Sequence, residues 1–250
     1  MSVAGRLVVI AGATSVSGIA AAHELTSAGA RVIAVGHDSD KLNELLRSDA
    51  GAVGSGGFED GAVGSVRTEV CDLTDESAVA RLAQRVHDAD GAVDGVLHLV
   101  GGWRGGGGLA GQSDADFRFL EGSFTALRHV SRAFDADLRA SDAGRLAVVS
   151  STAVTRPLAG GANYAAVKGA TEAWTRAVAQ GFAKDARDAG RPLTAAAVIF
   201  RVQSLAGLEE ALARRFVALW TAPAAETNDT IVNLSASLIS APSNPEIGHP

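Results

Sequence analysis

The fold is decided by the stretch Arg6-Leu-Val-Val-Ile-Ala-Gly-Ala-Thr-Ser-Val-Ser-Gly18, which combines an apolar run with a glycine turn. A short continuous apolar run closed by Gly12 is typical of a strand covered on both faces, as in a parallel sheet. Helical spacing of apolar residues follows from Ile19 to Ala28, and a second apolar run spans Arg31 to Gly36. In such a strand–turn–helix–strand unit the helix N-terminus offers free N–H groups and a positive dipole end to a pyrophosphate.

Further strand patterns alternate with helical ones along the rest of the chain. Strands are predicted at 65–71, 95–102, 144–151, 193–200 and 230–234, and helices at 39–46, 74–89, 113–140, 164–181 and 205–220. Alternation of this kind favours parallel strands joined by crossover helices. The sequence therefore predicts an α/β fold: one Rossmann-type, doubly wound parallel sheet of about seven strands with helices on both faces, as a single domain over 1–250.

The composition narrows the classes of function. A chain of 250 residues with 47% apolar residues fits one α/β domain with a large core. The net charge of −6, without a basic run, argues against nucleic acid as a partner. The single cysteine, Cys71, lies in a strand pattern, where we expect a buried thiol in a reducing compartment. No run approaches the roughly 20 apolar residues of a membrane span, and no signal peptide is evident, so we expect a soluble cytoplasmic protein without a metal site.

The segment Tyr164-Ala-Ala-Val-Lys168 is the strongest candidate for chemistry, together with Ser151 at the end of the fifth strand pattern. A tyrosine and a lysine four apart on a helix share one face, and a nearby ammonium is expected to lower the pKa of the phenol. The Ser151 hydroxyl could stabilise an oxygen that gains charge. A tyrosine and a lysine at this spacing are by themselves usually a half-exposed helix face.

With Ser151 thirteen residues before Tyr164, and with the glycine turn after the first strand, the chain resembles the short-chain dehydrogenase/reductase family over nearly all of its length. The resemblance implies a carbonyl/alcohol oxidoreductase that uses a nicotinamide cofactor. Tyr164 would be its acid/base, Lys168 would bind the cofactor ribose and tune Tyr164, and Ser151 would stabilise the oxyanion. Thr152 could share the role of Ser151, and Ser150 is the alternative if the intervening loop is longer.

The resemblance also implies a set of cofactor-binding residues. The usual glycine turn is incomplete here, because Gly12 and Gly18 are present while Ser15 or Val16 stands at the middle glycine. The third and fourth strands would add contacts to the adenine and the ribose. The residues expected at the cofactor are Gly12, Thr14, Ser15, Ser17, Gly18, Ile19, Gly36, His37, Asp72, Leu73, Gly101, Gly102, Tyr164 and Lys168.

The end of the second strand bears on the choice between NADP and NAD. Relatives that prefer NAD carry an acidic residue there, and Gly36 removes that acid and leaves room for a 2′-phosphate. His37 stands where NADP-preferring relatives often have arginine, although imidazole is a weaker anion partner and Asp38 adds an opposing charge. NADP is the expected cofactor, with NAD as the alternative and His37 as plain loop surface also open.

Substrate contacts are expected from Trp103 by stacking and from Arg104 by binding an anion, because both follow the fourth strand at the edge where α/β proteins bind ligands. A surface loop with a docked tryptophan is the alternative. His98, within the same strand pattern, is predicted to be a hydrogen-bonded core histidine rather than an acid/base.

Four departures from the family pattern favour a rival hypothesis. They are the lost middle glycine, the altered turn after the fourth strand, the absence of asparagine from helix 113–140, and the absence of Pro-Gly with a substrate lid after the sixth strand. The rival is a catalytically weak or inactive nucleotide-binding protein with a sensor or structural role.

The resemblance further implies a homo-oligomer, a dimer or tetramer, built on helix 164–181. The glycine-rich segment 51–65 is predicted to be a flexible insertion, and 236–250 a loosely ordered tail.

Overall fold

Seven strands form one parallel sheet in the computed structural model, which describes residues 2–48 and 64–235. The strands are β1 (Leu7–Ala11), β2 (Arg31–Gly36), β3 (Ser65–Val70), β4 (Gly95–His98), β5 (Arg145–Ser151), β6 (Ala196–Val202) and β7 (Thr230–Leu234). The helices are α1 (Val16–Ser27), α2 (Ser39–Ser48), α3 (Glu76–Asp90), α4 (Asp114–Ala133), α5 (Asp135–Ala140), α6 (Ala162–Asp188), α7 (Glu209–Ala218) and α8 (Ala224–Thr227).

The strand order is β3-β2-β1-β4-β5-β6-β7, and every neighbouring pair is parallel. The chain therefore winds in one direction from β1 to β3 and in the other from β4 to β7. The reversal lies between β1 and β4, where Ala11 pairs with His98. In open sheets of this kind ligands bind at the carboxyl ends of the strands, at the reversal point. The predicted doubly wound Rossmann-type fold is confirmed.

The continuous apolar run of β1 is explained by packing on both faces of the sheet. Val8 and Ile10 belong to the core cluster that contains α1 and α7, whereas Leu7, Val9 and Ala11 belong to the cluster on the opposite face. Successive side chains of a strand point to opposite faces, so a central strand needs apolar residues at every position.

Arg145, the first residue of β5, is 1% exposed and contacts only backbone oxygens within hydrogen-bonding distance. Its guanidinium donates to Leu219 O at 2.9 Å, Gly144 O at 2.8 Å, Thr194 O at 2.9 Å and Ala222 O at 3.1 Å. Burial, and to a smaller extent the charge of Arg6, lowers the pKa of the Arg145 guanidinium to about 10. One side chain thus connects the start of β5 to the segments before β6 and after α7.

Several predicted boundaries differ from the structure. The helix predicted over 113–140 is interrupted at Phe134, which is fully buried with φ −110 and ψ 10 and separates α4 from α5. The helix predicted to begin at Leu205 begins at Glu209. The first turn of α2 is capped by Asp38, which accepts from the N–H groups of Asp40 and Lys41 at 3.1 Å each, rather than by Ser39.

Three further sequence predictions concern Cys71, the two segments predicted to be flexible, and membrane spans. Cys71 is buried, as expected, and burial raises the pKa of its thiol. The predicted flexible insertion lies outside the described residues except for Gly64 and Ser65, which lead into β3, and the predicted tail lies wholly outside them. Across residues 2–48 and 64–235, no helix combines the length and apolarity of a membrane span.

Candidate active site

The Ser151 and Tyr164 hydroxyls meet where β5 ends and α6 begins. Ser151 is the last residue of β5 and is 3% exposed, and its hydroxyl lies within hydrogen-bonding reach of the Tyr164 phenol. Tyr164 is the third residue of α6 and the only tyrosine of the chain. Burial raises the pKa of its phenol above the usual value, and the Ser151 hydrogen bond opposes that rise. The phenol is therefore protonated at neutral pH.

Lys168 lies one helical turn beyond Tyr164 and is 9% exposed. Its ammonium donates to Val149 O at 2.8 Å and lies 5.8 Å from the centroid of the Tyr164 ring. Burial lowers the lysine pKa to about 8. The expectation that Lys168 lowers the pKa of Tyr164 is wrong in this structure, because the ammonium is directed at a strand carbonyl and the burial of the phenol dominates.

A buried ion pair links structural elements of this site. Arg201, in β6, donates to both carboxylate oxygens of Glu172, from Nε at 3.0 Å and from Nη2 at 2.7 Å. Ser150 donates its hydroxyl to the same carboxylate at 2.7 Å. Glu172 follows Lys168 by one turn of α6, and Ser150 precedes Ser151 in β5, so the Glu172 carboxylate connects the two elements that carry the site. No sequence pattern indicated this ion pair, because 29 residues separate the two charges.

His98 ends β4 beside this site and is 4% exposed. Its Nε2 lies 3.1 Å from Ser123 O. A carbonyl only accepts, so Nε2 carries the proton and Nδ1 is an acceptor, and Nδ1 has no hydrogen-bond partner in the described part of the chain. Burial, and to a smaller extent the charge of Lys168, lowers the His98 pKa to about 3. The prediction of a hydrogen-bonded core histidine is confirmed for one of its two ring nitrogens.

A cleft of about 410 Å³ lies at the carboxyl ends of β1, β2 and β4. It is lined by Gly12, Thr14, Ser15, Gly36, His37, Asp72, Leu73, Thr74, Leu99, Val100 and Gly101. Gly12 has φ +91, and a Cβ on it would lie 2.8 Å from Val100 N. A Cβ on Gly18 would lie 2.4 Å from Ala13 O. Gly12 is thus required for its conformation and for close approach, and Gly18 for close approach.

Among the other residues expected at the cofactor, Ser15 lines this cleft, whereas Ser17, Ile19 and Gly102 do not. The Ser15 hydroxyl caps α1, accepting from Gly18 N–H at 3.1 Å and lying 3.1 Å from Gly12 O. Ser17 is buried inside α1, and Ile19 lines a different groove, between α1 and α7. Gly102 does not line the cleft, and a Cβ on it would lie 2.9 Å from the Phe119 ring.

The end of β2 forms the wall of this cleft around Gly36. A Cβ there would lie 2.7 Å from Thr14 Cγ2, so only glycine leaves the wall open. His37 lies close enough to Asp72 to contribute to lowering its carboxyl pKa, although hydrogen bonds from Thr74 are the larger cause. The Asp38 carboxylate is engaged in capping α2.

A second and larger cleft, of about 1000 Å³, opens at Ser151 and Tyr164, and we call it the substrate cleft. Its lining is Trp103, Ser151, Thr152, Ala153, Thr155, Arg156, Leu158, Gly160, Gly161, Tyr164, Gln203, Ser204 and Leu205. Trp103 therefore lies where a substrate contact was expected. Arg104 does not line the cleft, since its guanidinium lies 4.0 Å above the Phe119 ring. Arg156 lines it instead, and no sequence signal had singled it out.

Comparisons with known proteins agree with this geometry. The family model of the short chain dehydrogenases matches residues 6–186, and the chain belongs to this family of oxidoreductases. No curated protein matches the sequence. A metagenomic short-chain oxidoreductase solved in complex with NADP is 24% identical, with a TM-score of 0.77, over 94% of this chain and 99% of that one.

Two further solved structures share the fold. L-Sorbose reductase from Gluconobacter frateurii, complexed with NADPH and L-sorbose, is 18% identical with a TM-score of 0.76, over 96% of this chain and 99% of that one. NAD⁺-bound xylitol dehydrogenase is 16% identical with a TM-score of 0.76, over 94% of this chain and 99% of that one. At these identities the likeness establishes the fold alone.

Proposed function

We propose that the protein is an NADP(H)-dependent oxidoreductase that interconverts a carbonyl and an alcohol on a small molecule. The observation that carries the proposal is the Ser151–Tyr164 hydroxyl pair at the wall of the substrate cleft, with the buried ammonium of Lys168 one helical turn away. The Ser151 and Tyr164 hydroxyls lie within reach of each other and line the same cleft, which suits them to an oxygen that gains negative charge during a reaction.

The residues present fit a dinucleotide. The glycine-lined cleft lies at the reversal point of the sheet, beside the N-terminus of α1, where a pyrophosphate is stabilised by N–H groups and by the helix dipole. Gly12 and Gly36 keep its walls free of side chains. Gly101 connects this cleft to the catalytic side, since a Cβ on it would lie 3.7 Å from the Lys168 ammonium. When bound, a nicotinamide cofactor would supply or accept the hydride.

Proton transfer would be the task of Tyr164. Its raised pKa keeps the phenol protonated at neutral pH, so it is suited to donate a proton to the carbonyl oxygen during reduction and to recover one during oxidation. Ser151 would donate a hydrogen bond to the same oxygen. Lys168 would bind the ribose hydroxyls of the nucleotide.

NADP is favoured over NAD at the adenine end. No carboxylate extends from Gly36, and His37 lies in the cleft, where it can face a 2′-phosphate. Since the Asp38 carboxylate is occupied by backbone N–H groups of α2, it opposes a phosphate less than its sequence position suggests. Among the structural relatives, two hold NADP or NADPH and one holds NAD⁺.

The proposal is tested by following oxidation of NADPH and of NADH with a panel of aldehydes and ketones, in parallel with the Tyr164→Phe variant. We expect turnover with at least one carbonyl, roughly tenfold or more in favour of NADPH, which corresponds to about 1.4 kcal/mol. Tyr164→Phe should lose a factor of about 10² or more in kcat while its thermal unfolding stays at the wild-type temperature. Turnover equal to that of Tyr164→Phe on every substrate class would favour a catalytically inactive nucleotide-binding protein.

A further inference from the structure

The substrate cleft has one feature that the proposed reaction does not use. Arg156 is the only charged residue among the described residues that line it. No carboxylate and no hydrogen-bond acceptor pairs with its guanidinium anywhere in the described chain. The Arg156 side chain is exposed, so its charge is available to a ligand in the cleft.

The surroundings of Arg156 favour an anion rather than water alone. Trp103, Leu158 and Leu205 contribute apolar surface to the same cleft, and Trp103 is 61% exposed and Leu158 70% exposed. The N-terminus of α6 also borders the cleft through Gly160 and Gly161, and Gly161 at the N-cap provides no side chain to the first turn. The dipole of a 27-residue helix therefore adds to the positive potential.

We propose that the substrate cleft binds an apolar carbonyl compound that carries a carboxylate remote from the reacting carbonyl, and that Arg156 binds this carboxylate. The apolar body would lie against Trp103, Leu158 and Leu205, while the carbonyl oxygen meets Ser151 and Tyr164. The cleft of about 1000 Å³ is large enough for such a compound, because clefts of roughly 300–1,000 Å³ hold drug-sized ligands.

A single negative charge is the best match for this site. The planar guanidinium binds a carboxylate through two parallel hydrogen bonds. A phosphate dianion would leave one charge without a cation, since the described lining contains no lysine and no second arginine. Arg104, the arginine expected from the sequence to bind an anion, stacks on Phe119 and lies outside the lining.

Binding is measured first, because it does not depend on turnover. Equilibrium dialysis of the full-length protein, with and without NADP⁺, compares naphthylacetate with its primary amide, two ligands of the same shape that differ in charge. We expect the carboxylate to bind about fivefold or more tightly than the amide, and we expect added salt to reduce this ratio. Arg156→Gln should bring the ratio close to one, and Arg156→Lys should restore part of it.

Arg104→Gln is the matched control, since it removes the neighbouring arginine and should retain the wild-type ratio. The inference is overturned if wild-type protein binds both ligands equally, if Arg156→Gln keeps the preference, or if Arg104→Gln is the variant that loses it. Circular dichroism of each variant excludes loss of fold as the cause.

Turnover then separates this inference from the proposed function on which it rests. Benzoylpropionate and its methyl ester are compared with NADPH as reductant, and wild type should show a kcat/KM about fivefold or more in favour of the acid, expressed mainly in KM. Arg156→Gln should remove that preference, mainly by raising KM for the acid, whereas Arg104→Gln should retain it. Absence of turnover on both compounds, beside intact carboxylate selectivity in dialysis, would reject the oxidoreductase and retain the anion site, whereas turnover without selectivity would reject the anion site alone.

Discussion

Arg201 binds both carboxylate oxygens of Glu172, at 3.0 and 2.7 Å, and the two side chains are 14% and 7% exposed. Breaking such a pair leaves one buried charge without compensation, which costs about 3–5 kcal/mol. Arg201→Met should therefore lower the free energy of unfolding by about 3 kcal/mol. The double variant Glu172→Met/Arg201→Met should lose much less than the sum of the two single variants. Urea unfolding of all four proteins measures the coupling, and additive losses would show that the pair does not act as a unit.

The pKa of Tyr164 can be changed through Ser151. Burial raises the phenol pKa and the Ser151 hydrogen bond lowers it, so Ser151→Ala should raise it further. Because the chain contains only one tyrosine, tyrosinate absorbance in the near ultraviolet reports this group alone. Thr152→Val changes the neighbouring hydroxyl and should leave the titration midpoint at the wild-type value. A lower midpoint in Ser151→Ala would contradict the hydrogen bond.

Lys168 makes stability depend on alkaline pH. Its folded pKa is about 8, below the ordinary 10.5, so between these values the unfolded chain binds more protons than the native protein. Stability attributable to this group must rise with pH through that window, by at most about 1.4 kcal/mol per pH unit. Lys168→Met should be more stable relative to wild type near pH 7 than near pH 10, as measured by urea unfolding at a series of pH values. A constant difference would show that the ammonium is not desolvated.

His98 makes the stability of the fold depend on pH in the acidic range. Its folded pKa of about 3 lies below the ordinary 6.5, so the unfolded chain takes up a proton that the native protein does not bind. Wild type should lose stability as pH falls below about 6.5, with a contribution of up to about 1.4 kcal/mol per pH unit from this residue. His98→Gln keeps a donor for Ser123 O and should lose stability less steeply. Equal slopes for the two proteins would mean that His98 is not the buried neutral base described above.

Replacing Gly12 or Gly122 by alanine should change stability in opposite directions. At Gly12 a methyl group would lie 2.8 Å from Val100 N, at φ +91, so Gly12→Ala should cost roughly 1–3 kcal/mol and weaken nucleotide binding. Gly122→Ala, inside α4, would meet only Thr74 Cγ2 at 3.6 Å and should stabilise the protein by about 0.5–1 kcal/mol. Thermal unfolding and nucleotide titration of both variants check these opposite signs.

The parts of the fold that the sequence predicts well are those fixed by local pattern. Strands β1, β2 and β7 were predicted to within one residue or so, because an apolar run bounded by glycine or polar residues has few alternatives. The break at Phe134 was missed, since a buried phenylalanine continues the apolar periodicity whether or not the backbone remains helical.

The proximity of Ser151 and Tyr164 was predictable from the sequence, but the interactions of Lys168 were not. The spacing of Ser151 and Tyr164 placed their hydroxyls together, whereas the direction of the Lys168 ammonium toward Val149 O depends on a strand that spacing does not locate. For the same reason the sequence pattern indicated Arg104 and gave no indication of Arg156. Which loop arginine enters a cleft is decided by backbone conformation and by a competing aromatic contact, here Phe119.

The guanidinium of Arg145 also constrains the order in which the chain can fold during synthesis. Two of its four acceptors, Leu219 O and Ala222 O, lie more than seventy residues further along the chain. Until the ribosome has released that segment, β5 cannot be buried at the centre of the sheet without leaving part of a buried cation unsolvated. Domains generally form as units when their last required contacts emerge. The nascent protein should therefore remain accessible to chaperones and proteases until the segment with Leu219 and Ala222 has been made, although both hydroxyl-bearing residues of the site are synthesised long before.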